Sequence, residues 1–94
     1  MGVNERFRAL SDPTRREILR LLRSGEMTAG SIASQFDLAA STMSGHLSTL
    51  REAGLIVAER HGTSIVYSVS ASVLDELLTE ILDLTGGDRP RRPR

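Results

Sequence analysis

Ninety-four residues make one small domain, with too little chain for two independent cores, and so small a core favours stabilisation by a second subunit. There is no Cys, which excludes disulfides, thiolate nucleophiles and thiolate metal sites. Formal net charge is zero but unevenly placed: residues 1–24 carry six Arg against Glu5, Asp12 and Glu17, whereas residues 71–88 carry five acids and no base. The longest apolar runs are a few residues and the start MGVNERF lacks a signal-peptide core, so a cytoplasmic chain without membrane insertion is expected.

Val3, Phe7 and Leu10 share one face at helical spacing and predict a first short helix over 3–10. In SDPTRREILRLLRSG, Asp12 suits a cap, Pro13 the first helical position and Gly25 the C-terminal stop, which predicts a helix over about 13–24. Ile18, Leu19, Leu21 and Leu22 form its inner face, with Arg16, Arg20 and Arg23 as a basic ridge opposite. Arg15 projects between apolar positions, which points to an ion pair with a neighbouring element. Thr28 is placed to cap a short helix reaching about Phe36, with Ile32, Ala33 and Phe36 inward. After the tight link Asp37-Leu38-Ala39, a longer helix over about 40–53 stops at Gly54. Two helices joined by so short a turn have the spacing of a helix-turn-helix.

Beyond Gly54 the period changes to two. Ile56, Ala58 and Arg60 alternate with Val57 and Glu59, then His61-Gly62-Thr63-Ser64 turns the chain into Ile65, Tyr67 and Val69. A hairpin at this point converts the reading to a winged helix-turn-helix: mainly α with a β-hairpin, in the order α-α-α-α-β-β-α. In the last helix, capped by Ser72, Val73, Leu74, Leu77, Leu78, Ile81, Leu82 and Leu84 sweep an arc of roughly 180°, wider than one core contact needs. The surplus predicts a homodimer interface shared with Val3 and Phe7, so that the dimer forms through the first and last helices. One domain is assigned to residues 1–85. The tail 86–94, with two Pro and four Arg, is expected to be disordered and to add nonspecific phosphate affinity.

Chemistry concentrates on the helix from residue 40. Met43, Leu47 and Leu50 define its inner side, and Ala40, Ser41, Thr42, Gly45, Ser48 and Thr49 lie elsewhere, with Ser44 and His46 at the boundary. Such small, nearly uncharged residues are poor choices for an ordinary solvated face, since Gly in a helix interior costs about 1 kcal/mol relative to Ala. They suit close approach to a major groove, about 12 Å wide, whose base edges are read by short hydroxyls. Double-stranded DNA is therefore the expected partner. Arg60, His61, Gly62, Thr63 and Ser64 form the wing expected to touch a minor groove or phosphate, opposed by Glu59. For His46, a phosphate contact and a half-buried ring bonded to a backbone carbonyl stand equal. Scarce charge between residues 38 and 70 supports a rival reading, a winged-helix protein-interaction module with weak DNA binding. No catalytic constellation or phosphate loop supports an enzyme.

The runs FRALSDPTRREILRLL, MTAGSIA, STMSGHLSTLREAGLI and ERHGTSIVYSVS, in this order, resemble the ArsR/SmtB family of winged helix-turn-helix repressors over about residues 5–84. The Cys-free chain with MTAGSIA is most similar to the autorepressor branch that lacks a metal site. The resemblance implies a homodimer on an imperfect palindrome overlapping a promoter, with Ser41, Thr42, Ser44, Gly45 and His46 in the recognition helix and Arg60 to Ser64 in the wing. Where members carry a metal-binding Cys pair, this chain has Thr28 and Gly30; its last helix offers Asp75, Glu76, Glu80 and Asp83 but no His, which points to a solvated acidic face and to no metal and no cofactor. Ala39 stands where the family often has a hydroxyl cap. Control would come from a protein or small-molecule effector, or from abundance.

Overall fold

The computed structural model describes residues 2–86; the tail from residue 87 onward lies outside them. Five helices, α1 (Val3–Leu10), α2 (Pro13–Leu22), α3 (Ala29–Ala33), α4 (Ala40–Glu52) and α5 (Ala71–Leu84), surround the strands β1 (Met27–Thr28), β2 (Ile56–His61) and β3 (Ser64–Val69). No helix among the described residues is long and apolar enough to cross a membrane.

Pro13 forces the break between α1 and α2. Asp12 before it is extended (φ −97°, ψ 129°), as a residue preceding proline must be, and its carboxylate accepts from the Arg15 amide at 3.0 Å. α2 ends at Leu22, two residues short of expectation, because its last turn tightens: the amides of Ser24 and Gly25 bond three residues back, to Leu21 and Leu22. α3 is shorter for the same reason, with Gln35 and Phe36 in tight turns that bond to Ile32 and Ala33. Its cap is the expected one, the Thr28 hydroxyl accepting from the Ser31 amide at 3.1 Å. α4 ends where expected, at Gly54, whose φ of +78° is a left-handed value that favours glycine.

The sheet is antiparallel, in the order β1-β3-β2. Its first strand was not expected: Met27 pairs with Tyr67 and Thr28 with Val66, and two residues are too few to carry a period. β2 and β3 pair from Ile56–Val69 out to His61–Ser64, leaving Gly62 and Thr63 as a two-residue turn. Gly62 has φ +64° and Thr63 does not have positive φ, the pattern of a II′ hairpin turn that keeps the strands' natural twist.

Among the described residues no polar side chain is buried in the core; Ile18, Ile32, Leu50 and Leu55 are its largest fully buried members, one each from α2, α3, α4 and the entry to β2. α5 starts two residues earlier than read, with Ser70 rather than Ser72 at the cap position, and neither hydroxyl caps the helix. Leu77 is buried within its own chain, while Val73 and Leu74 pack against the core and Leu82 is half-buried. Val3 also packs on the core, but Phe7, Leu78, Ile81 and Leu84 are 36%, 39%, 45% and 83% exposed. The α5 acids are all exposed, as expected, and one of them, Glu76, also accepts from Arg6 on α1 at 2.8 Å.

Candidate nucleic-acid interface

α4 is held to the body by Met43, Leu47 and Leu50, spaced at 3.6-residue periodicity and buried. That anchoring leaves Ala40, Ser41, Thr42, Ser44, Gly45 and Ser48 exposed. None of the four hydroxyl side chains in that set makes a hydrogen bond among the described residues, and a Cβ on Gly45 would meet nothing within 4 Å. Folding therefore does not require glycine there. Thr49 is half-buried instead, its hydroxyl donating to Gly45 O at 3.0 Å, and it lines a shallow cleft with Glu5, Arg8 and Glu52. No side chain caps α4 at Ala39, so the first amides of the helix stay open at its positive end.

His46 is half-buried, as one of the two expectations had it, but its ring meets a side chain and not a backbone carbonyl. Its side chain is 16% exposed, with Nδ1 lying 3.3 Å from Nη1 of Arg15 and 3.9 Å from Oδ2 of Asp12. Arg15 likewise forms no ion pair of the kind expected. Its Nε donates to Ala9 O at 2.7 Å and its Nη2 to Arg8 O at 3.2 Å, which ties α2 to the end of α1. The Arg15 amide bond is the main cause that holds the Asp12 carboxyl below its ordinary value; His46 and the Arg15 guanidinium add to it against a partial burial cost. Arg15's position between apolar residues was the only signal of this junction, and the sequence gives no hint of which partner it meets.

The wing tip carries Arg60, His61, Gly62, Thr63 and Ser64, all exposed. His61 Nε2 lies 3.7 Å from Glu59, so the tip's own acid competes for its charge. The basic ridge is dispersed. Arg16 donates to Leu10 O and Arg20 pairs with Glu17, while Arg20 and Arg23 border a cleft of about 850 Å³ with Val69 and Leu74, at the base of the wing. That base is separated from the tip by the length of β3, roughly 17 Å for its rise.

An open, small-residue helix after a short turn, followed by a hairpin with an exposed basic tip, is the arrangement that presents a helix to a groove and a loop beside it. A helix-turn-helix domain family matches residues 10–59. The transcriptional repressor SdpR of Bacillus subtilis is 43% identical over 81 residues, covering 86% of this chain and 90% of that protein. The HTH-type transcriptional regulator CmtR of Mycobacterium tuberculosis is 40% identical over 77 residues, covering 82% of this chain but 65% of that longer relative. A crystal structure of an ArsR family transcriptional regulator superposes with a TM-score of 0.83 at 26% identity, covering 88% of this chain and 91% of that one. The chain belongs to the ArsR/SmtB family. Thr28, one of the two positions where the resemblance would put a metal-binding Cys, has a folding task as the α3 cap. Among the described residues no three His, Asp or Glu side chains cluster closely enough to hold a metal ion.

Proposed function

We propose that the chain is a sequence-specific DNA-binding transcriptional repressor that works in the cytoplasm as a homodimer and controls its own or a neighbouring promoter. The observation that carries this reading is the exposed, unbonded, nearly uncharged face of α4 at Ala40, Ser41, Thr42, Ser44, Gly45 and Ser48. Short hydroxyls there can reach base edges, the open amides of the first turn can meet phosphate, and Gly45 lets backbone come close. His46 supports the helix from behind, and Thr49 lies at the edge of the contact. The wing residues Arg60 to Ser64 add a phosphate or minor-groove contact beside it.

The homodimer is supported by Phe7, Leu78, Ile81 and Leu84, apolar side chains left exposed on α1 and α5. A second copy burying the same face would place two recognition helices about one DNA turn apart, roughly 34 Å. No cofactor enters the reading; a protein or small-molecule effector would release the dimer. Hydroxyl-radical footprinting on the chain's own upstream DNA tests it. Two protected patches about one helical turn apart, at a pseudo-palindrome, are expected. Uniform protection without register would contradict the reading.

A further inference from the structure

The guanidinium of Arg15 joins three elements. Two of its donors are engaged at Ala9 O and at Arg8 O, which also accepts from the Ser11 amide and hydroxyl; both carbonyls belong to the last turn of α1, where a cation complements the helix's negative end. Because the five N–H donors lie in one rigid plane, fixing two of them on α1 fixes where Nη1 points. It points at Nδ1 of His46, midway along α4 and immediately behind the exposed Ser44 and Gly45. Asp12, which caps α2, stands 3.9 Å from the same ring nitrogen.

We propose that Arg15 is a positioning residue for the DNA-reading helix: one guanidinium plane keeps the end of α1 and the middle of α4 in register through His46. The inference rests on the DNA-binding reading above. α1 carries exposed Phe7 on one side and is tied to α5 by Arg6 and Glu76, so a change in how that helix packs reaches α4 through Arg15. Nδ1 can accept from Arg15 only while it carries no proton. A protonated imidazole loses that acceptor and sets a second cation against the guanidinium, leaving Asp12 as its partner. The charged groups around this junction are Asp12 and Arg15 from α2 and Glu5 and Arg8 from α1, the last two turned toward α4 at Thr49 and Glu52.

The test uses the full chain and its own upstream duplex, with Arg15→Gln, Arg15→Lys, His46→Ala and the Arg15→Gln/His46→Ala pair, each checked for fold by circular dichroism and for dimer by sedimentation. Each single change is expected to lower affinity about tenfold, and the pair by no more than the worse single change. Arg15→Lys keeps the charge but not the fork, so it is expected to lose affinity too, which a simple phosphate contact would not. In the free protein near neutral or higher pH, imidazole nitrogen shifts are expected to report the Nε2–H tautomer of His46. Additive losses, wild-type binding by Arg15→Lys, or an Nδ1–H tautomer would overturn the proposal. A wild type with no preference for its own duplex would instead defeat the DNA-binding reading, leaving the tautomer to decide the geometry.

Discussion

Gly45 is a residue at which folding and the proposed DNA contact can be separated cleanly. Its φ is helical and a Cβ there would meet open space, so Gly45→Ala is expected to stabilise the protein by about 1 kcal/mol. If the backbone approaches DNA at this point, the same methyl weakens operator binding. Thermal melts and duplex titrations on the one variant check both directions; a stabilised variant that binds as tightly as wild type would remove Gly45 from the contact. Asp12 shows the opposite case, a residue whose role is structural. Its carboxyl is held below 3.8, so its stabilising contribution is present above that value and lost as pH falls through the lower folded-state value. Asp12→Ala should cost about 1 kcal/mol near neutral pH, and urea melts should show the gap to wild type narrowing by about pH 3. The cap was legible from Asp12-Pro13 because both residues act locally. The junction of Arg15 with His46 was not, since it joins positions 31 residues apart and nothing in local spacing ranks a ring nitrogen above a carboxylate as the partner.

Helices with two ends marked by sequence chemistry were placed within about two residues, a precision typical of helix ends. α1, α4 and the hairpin followed from 3.6- and 2-residue periods, whereas β1 exists only because Met27 and Thr28 find β3 in space. α5 was the most informative element. Its arc of Leu and Ile is divided: Leu77 faces inward, and Leu78, Ile81 and Leu84 remain outside. The period showed that the arc was too wide, but only the packing shows which side is left over. Ile81→Glu places a carboxylate in the middle of that leftover face without touching the core. It is expected to weaken dimerisation roughly a hundredfold while leaving the monomer folded. Sedimentation velocity checks it, and an unchanged dimer would mean that another surface joins the subunits.

Across the whole molecule, zero net charge conceals a division of labour. Acid gathers on α5, where Glu76 meets Arg6, and the α2 arginines are engaged with Leu10 O, Glu17 or the cleft at the wing base. Among the described residues few cations lie near the small face of α4: Arg60 at the wing, Arg51 toward the end of the helix and Arg8 across the cleft from Thr49, all exposed. On the proposed reading, affinity with so few phosphate contacts from this face leans on base edges, open amides and shape, which makes binding more selective than its charge alone would allow. The most direct measurement is fluorescence titration of the full chain with its own upstream duplex and a scrambled duplex over a range of salt. A clear preference for the native duplex, with a log–log salt slope of about −3 to −4 for the dimer, is the predicted result. Equal, weak binding to both duplexes with a slope near zero would contradict it and give the small face of α4 to a protein partner.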